Sequence, residues 1–337
     1  MRHRKYIVVT RILPVCLVIT GVIFWGMTYN PGKGPSITAA QTASPEPIKQ
    51  TTGRASEPIK VGETVFSSVQ ESADSQPYRC STVAPPPDEL KKLEARFERL
   101  KKANLERRTT GKITIPVYFH IITNAAGTEG NISDEAVQNQ IAVLNTAFAG
   151  TGGGTPSPFV FVLASAGIDR KANDAWFNME YRTIPTDIER EAKAALGKGD
   201  KSTLNVYTAR LANKAFGWGR FPWQLADKVD GIVIRYSTLP GGATLYYNQG
   251  KTAVHETGHW LGLYHTFENG CDPGDYVADT NAEDSAATFC PVARNTCPAP
   301  GLDPVENYMD FTWDSCMTRF TLGQVTRMED KYQQFRK

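Results

Sequence analysis

His255-Glu256-Thr257-Gly258-His259-Trp260-Leu261-Gly262-Leu263-Tyr264-His265 gathers three of the chain's 5 histidines into one short run. His255 and His259 are four apart, so on a helix both imidazoles leave one face about a turn apart and reach a single ion. Gly262 lets the backbone leave that helix in a left-handed conformation, which a Cβ resists. The turn brings His265 back as a third ligand. Three neutral imidazoles around Zn2+ leave a fourth position for water, the arrangement of a catalytic rather than a structural site. Glu256 projects from the same helix beside the first ligand, within reach of that water. Zinc lowers the water's pKa to about 7 and polarises a carbonyl, while the carboxylate takes a proton and delivers it to a leaving amine. The reaction so implied is amide hydrolysis. A merely histidine-rich buried helix would require neither Glu256 nor Gly262.

Upstream of this run the texture is compact α/β. Residues 112–123 (KITIPVYFHIIT) read as a strand, 133–149 as an amphipathic helix opened by Ser133, and 159–165 as a second strand. A helix over 188–196 and strands over 204–208 and 231–236 follow. Strands alternating with helices predict an α/β (α+β) domain, a mixed sheet with helices packed on it. His120, alone among apolar neighbours in the first strand, reads as a core histidine. Trp218, Phe221 and Trp223 make an aromatic loop that reads first as packing and second as a shaper of substrate binding. Asn131-Ile132-Ser133 is an N-glycosylation sequon.

The N-terminal third is different. Arg2, Arg4, Lys5 and Arg11 precede an apolar stretch, residues 12–27, broken by Pro14, Gly21 and Gly26. Basic residues before a short apolar stretch read as a secretory signal, with retention as a signal anchor the rival reading. From 30 to 87 the composition is Pro-, Ser-, Thr-, Ala- and Gln-rich and supports little core. Residues 88–108 predict a charged helix with a narrow stripe of Leu90, Leu93, Phe97, Leu100 and Leu105, which reads either as a solvated linker or as a helix docked on the following domain. Arg107-Arg108 is a candidate processing point at a domain boundary. The 37 basic and 35 acidic residues give a net charge of +2, which supplies no general field for nucleic acid or anionic lipid.

There are 6 cysteines. Cys16 lies in the export segment. Cys271, Cys290, Cys297 and Cys316 cluster after the zinc helix, and an even number in an exported chain implies disulfides, with three connectivities open. Cys80 is left over. A thiolate binds zinc well, so Cys80 at the open coordination position would hold the enzyme latent; a free or intermolecularly paired thiol is the alternative. The acidic loop from Cys271-Asp272-Pro273-Gly274-Asp275 to Asp279-Thr280 offers oxygens of the kind Ca2+ takes, with a merely solvated loop as the alternative reading.

Two histidines, a glycine and a third histidine, with Met309 downstream in Glu306-Asn307-Tyr308-Met309-Asp310, resemble the metzincin clan of zinc endopeptidases. Within it the wording is similar to the pappalysin family, the ulilysin-like and secreted fungal metalloproteases. The matching stretches are 255–267, Asp279-Thr280, 307–310, and Phe320-Thr321 with Gly323-Gln324. The resemblance implies a zincin fold with a mixed five-stranded sheet, a zinc-binding active-site helix and a disulfide-stapled C-terminal subdomain. It further implies a methionine turn at Met309, disulfides Cys271–Cys297 and Cys290–Cys316, and structural calcium on Asp275 and Thr280. It also implies a basic residue after the scissile bond held by an acidic group at the base of the pocket, for which Asp314 is the candidate, the alternative being that Asp314 is an exposed loop carboxylate. Pappalysin pro-segments carry Arg-Cys-Gly-Thr where this chain has Arg79-Cys80-Ser81-Thr82. Astacins and serralysins place a metal-binding tyrosine two residues after the methionine; Phe311 stands there, so no fifth protein ligand is assigned.

The sequence is therefore expected to comprise a signal peptide or anchor (1–27), a low-complexity pro-segment (28–110) and a metalloprotease catalytic domain (111–337). The 241–247 segment is expected to line its cleft. Protein or peptide substrates are expected, outside the cell, with no nucleic acid and a membrane only if 12–27 is retained. The competing classes are a zinc-stabilised binding or adhesion protein, whose usual mark is a lost catalytic glutamate, and a zinc hydrolase acting on a non-peptide bond.

Overall fold

The computed structural model describes residues 59–61, 64–66, 79–104, 111–212, 215–224 and 229–337. The apolar segment 12–27 and Arg107-Arg108 lie outside them. Two short strands, β1 (Ile59–Val61) and β2 (Thr64–Phe66), pair antiparallel. The charged helix α1 (Pro87–Asn104) follows.

Strand β3 (Ile113–Thr123) organises what comes next. Its alternate residues Ile113, Ile115, Val117, Phe119 and Ile121 are buried on one side, as period-two patterning dictates. They meet α2 (Asp134–Phe148), where Val137, Ile141, Leu144 and Phe148 form one face and Ser133 Oγ accepts from Ala136 N to cap the first turn. Each such side chain contributes about 1.5–3 kcal/mol through burial. β4 (Phe159–Ala172) pairs parallel with β3. It is longer than the sequence suggests: the register shifts between Val117 and Phe119, and pairing resumes at Ile168. The second half of β4 is polar because much of it is exposed, which hides it from a hydrophobic reading.

After α3 (Asp174–Phe177) and α4 (Asp187–Leu196) come β5 (Leu204–Ala209), β6 (Gly217–Gly219) and β7 (Ile232–Arg235). The five strands stand in the order β4-β3-β5-β7-β6, all parallel except β6, which pairs antiparallel with β7 at the edge. The zinc-helix candidate α5 (Lys251–Trp260) lies with α2 in the first layer. The opposite sheet face buries Ile122, Tyr207, Trp218 and Val233 against Trp176, Phe177 and Ala192 of α3 and α4. The domain is thus a mixed five-stranded sheet between helical layers.

Beyond α5 the chain is largely irregular, held by disulfides Cys271–Cys297 and Cys290–Cys316, each closing a 26-residue separation. On the loop-entropy account each stabilises by about 3 kcal/mol. Helix α6 (Leu322–Lys331) opens on a capping box between Thr321 and Gln324 and runs into a π-helical turn over Tyr332–Arg336. Arg336 clamps this end to the core, donating to Trp260 O and Asp230.

Edge strand β6 is anchored by buried charge. Glu189 of α4 is fully buried, pairs with Lys193 at 2.9 Å and with Arg220, and accepts from Trp218 Nε1. Burial alone would raise the carboxyl, but Lys193 and Arg220 outweigh it and hold Glu189 at about 2. A depressed carboxylate stabilises the fold above its unfolded pKa, here 4.5, and that stabilisation drains away as pH falls toward 2. The shift is worth about 3 kcal/mol. Glu189→Gln is expected to lose about 3–5 kcal/mol near neutrality, because two buried cations lose their partner. The variant should then show a shallower fall in Tm than the parent between pH 5 and 2.5. An unchanged melting profile would contradict the assignment.

Candidate active site

Helix α5 ends in a Schellman turn: Leu263 N donates to Gly258 O at 2.9 Å and Gly262 N to His259 O at 2.9 Å. Gly262 has φ +96°, and a Cβ there would meet Lys331 Cγ at 2.6 Å, so both backbone and packing demand glycine. The turn brings His265 beside its predecessors. His259 Nε2 lies 3.2 Å from His255 Nε2 and 3.1 Å from His265 Nε2. The outward nitrogens are engaged: His255 Nδ1 is 2.7 Å from Tyr308 O, His259 Nδ1 2.8 Å from Leu263 O, and His265 Nδ1 3.5 Å from Glu268. Such partners fix the tautomer that leaves Nε2 free to ligate. Burial first, then the neighbouring imidazoles, pushes His255 and His259 well below the usual histidine range, so both are neutral.

This donor set fits Zn2+. Bonds of about 2.0–2.1 Å in a tetrahedron put ligand nitrogens about 3.3 Å apart, close to the separations seen. Among the described residues the one group of three or more such ligands is Cys80, His255, His259 and His265, all buried, with ligand atoms within 4.8 Å of one another.

Met309 is fully buried under the cluster. A Cβ at Gly258 would come within 2.4 Å of its sulfur, so the glycine between the first two histidines makes room for the methionine. The turn is held by Asn307, whose Oδ1 accepts from Met309 N while its amide exchanges hydrogen bonds with Gln324 of α6. Phe311 packs its ring against His255 and His265.

Cys80 fills the mouth of the site. Its Sγ is 3.5 Å from His259 Nε2 and 3.4 Å from Glu256 Oε2. Burial, then the Glu256 charge, pushes the thiol up; burial likewise raises Glu256 to about 8. Thr82 Oγ1 donates to Glu256 Oε2 at 3.2 Å and accepts from Gly219 N at 2.9 Å. Ser81 N donates to Gly217 O at 2.9 Å, so the segment lies along β6 and runs in the same direction. Arg79 occupies a buried pocket, donating at 2.6 Å to Asp314 Oδ1 and at 2.7 Å to Thr312 O, with its guanidinium over the Tyr247 ring. Asp314 Oδ2 accepts from Gln249 N and Lys251 N at the start of α5.

The other expected residues fall as follows. Asp275 is buried and accepts from Val277 N, with its carboxyl raised by burial to about 7 against the opposing pull of the Val277 amide and the Thr280 hydroxyl in the same loop. Asn131 is exposed, its side-chain oxygen accepting from Arg170. His120 is fully buried, between Asp169 and Asn205. Trp218 and Phe221 are buried in packing, and Phe221 sets its ring edge against His259. The 241–247 segment contributes Tyr247 to the Arg79 pocket. Partners that escaped the sequence reading are Tyr308 O, Leu263 O and Glu268 behind the histidines, and Tyr181, whose hydroxyl accepts from Val83 N beside a cavity of about 560 Å3 at the cleft.

A helix that offers two imidazoles and a carboxylate to one point, with a third imidazole returned over a buried methionine, defines a metzincin-type zinc peptidase. Residues 202–333 match the family profile described as pregnancy-associated plasma protein-A. An extracellular metalloprotease of Neurospora crassa is 38% identical over 271 residues, covering 77% of this chain and 90% of that one. One from Pyricularia oryzae is 39% identical over 281 residues, covering 80% and 94%. The chain belongs to this family, the pappalysins, and is a zinc metalloprotease. Among solved structures, Tannerella forsythia mature mirolysin with a cleaved peptide is similar at TM-score 0.55 and 28% identity, covering 68% of this chain and all of that one. Promirolysin from the same organism is similar at TM-score 0.61 and 26% identity, covering 76% and 95%.

Proposed function

We propose that this protein is a secreted endopeptidase made as a latent zymogen, in which residues up to about 110 block a cleft that cuts peptide bonds before basic residues. The observation that carries this is Cys80 Sγ set against His259 Nε2 and Glu256 Oε2, inside the three-imidazole cluster. His255, His259 and His265 would hold Zn2+, which supplies Lewis acidity and lowers the pKa of a water to about 7. Once Cys80 and Thr82 leave, Glu256 Oε2 faces the reacting position from a buried wall. There it takes the proton from water and returns it to the leaving amine. Once the pro-segment is gone, the edge of β6 that Ser81 and Thr82 now cover would pair with an extended substrate.

Extracellular action is supported by the relatives' names. A peptide substrate is supported by the cleaved peptide in the mirolysin complex. Arg79 supports the specificity: its buried pairing with Asp314 is what an arginine or lysine after the scissile bond would reproduce. In a peptide-library profile the processed enzyme is expected to favour Arg and Lys there. Asp314→Asn keeps one acceptor oxygen for the Gln249 and Lys251 amides but removes the charge, and should lower kcat/KM for Arg substrates by about 100-fold, with neutral-residue substrates far less affected. An unaltered profile would remove Asp314 from the site.

Calcium would be held in the Asp275–Thr280 loop, where a buried carboxylate and the neighbouring Thr280 hydroxyl offer hard oxygens. Two chelators test both metals on the processed protein. One selective for zinc should abolish casein cleavage until Zn2+ is restored. One selective for calcium should lower Tm while zinc stays bound. Casein cleavage indifferent to zinc removal would refute the proposed function, and an unchanged Tm would refute the calcium site.

A further inference from the structure

Helix α1 is not a solvated linker. Leu90 and Phe97 are buried to 0% and 1% exposure, seven residues apart on one face, with Glu94 between them. Glu94 makes a two-pronged ion pair with Arg327 of α6 at 2.7 and 2.9 Å and accepts from Tyr264 OH at 2.8 Å. Phe97 packs on Trp223 and Phe335, and Lys331 Nζ sits 3.5 Å over its ring. The receiving face is cationic and aromatic; the helix brings an acid and two apolar anchors at i, i+4 and i+7. It also touches the metal-site turn, because Arg327 Nε donates to Gly262 O at 2.8 Å while its other nitrogens hold Glu94.

The pro-segment therefore has two anchors. One is Arg79 to Thr82 in the cleft, the other is α1 against Tyr264 and α6, and residues 83–86 join them, with Ala84 packed in the same buried cluster as Leu90, Phe221 and Tyr264. Two joined anchors must open together for release, which strengthens binding by about 10²–10⁴-fold over either alone. A cut beyond α1, in 105–110, leaves both anchors on one piece.

Resting on the latency reading above, we propose that the face under α1 is a docking surface for an amphipathic helix that presents one carboxylate between two apolar anchors, and that its occupant is the pro-segment's own α1, which stays bound after that cut. A single cleavage beyond α1 yields a non-covalent inhibited complex. Activation requires a second cut within 83–86, which separates the anchors.

The test replaces residues 105–110 of the full chain with the recognition sequence of a sequence-specific protease, cuts there, and measures peptide hydrolysis and size-exclusion co-elution. The uncut protein should be latent. After cutting, the parent should remain latent with the N-terminal piece co-eluting. Cut Phe97→Ala and Glu94→Lys proteins should shed the piece and gain activity by about 30-fold or more, the effect of losing one hot-spot anchor. Using both variants guards against one failing to fold. Latency before the cut but full activity and a separated piece afterwards in the parent overturns this proposal and leaves latency standing. Activity before the cut overturns both.

Discussion

Glu256→Gln in the processed enzyme is expected to lower kcat for peptide hydrolysis by about 10²–10⁴-fold while KM changes little and zinc stays bound. Glutamine keeps the size and hydrogen-bonding reach of the side chain but cannot accept the proton. The carboxylate sits in a fully buried wall, with Oε2 turned to the cleft and Oε1 without a hydrogen-bond partner. The metal should not be lost, because all three imidazoles are oriented by groups other than Glu256: Tyr308 O, Leu263 O and Glu268. Metal analysis alongside kinetics separates the two effects. Undiminished turnover by Glu256→Gln would refute the general-base role. A drop in activity that tracks lost zinc would make it structural.

Cys80→Ala should make the uncut protein active. The thiol lies at the mouth of the imidazole cluster, and its removal opens the position the reaction needs. Arg79 still fills the Asp314 pocket and α1 still grips α6, so the single substitution should activate partially and Arg79→Ala added to it should activate further. Loss of about 2.7 kcal/mol of anchoring corresponds to a 10²-fold gain in the open form, the scale expected for the pair. Assaying uncut protein on a peptide substrate with Arg after the scissile bond reads this directly. Uncut double-variant protein as silent as the parent would show that these residues do not impose latency.

The zinc helix was legible because its meaning is local: spacing of four, a glycine, then a third histidine fix geometry over three turns of chain. Met309 was legible only through resemblance, since a methionine alone has no signature. β6 was not legible. Gly217-Trp218-Gly219 carries no β-branched residue, and the structure shows why: a Cβ at Gly219 would lie 2.7 Å from Glu256 O, and one at Gly217 3.1 Å from Glu256 Cγ. The strand is thinned to fit against the zinc helix, so tertiary packing overrides propensity. Residues 88–108 showed a helix but not its berth, because Glu94 and Arg327 are separated by 233 positions. The Arg79–Asp314 pair, 235 apart, was equally invisible as a contact, although each residue was named for its own reason.

The most direct measurement is cleavage of a protein substrate by the uncut Cys80→Ala/Arg79→Ala protein beside the same protein carrying Glu256→Gln, at equal zinc content. Cleavage by the first, and at least a 10²-fold slower reaction by the second, is the outcome that a zinc- and Glu256-dependent enzyme held latent by its pro-segment requires. Equal cleavage by both, or none by either with zinc fully bound, would contradict it.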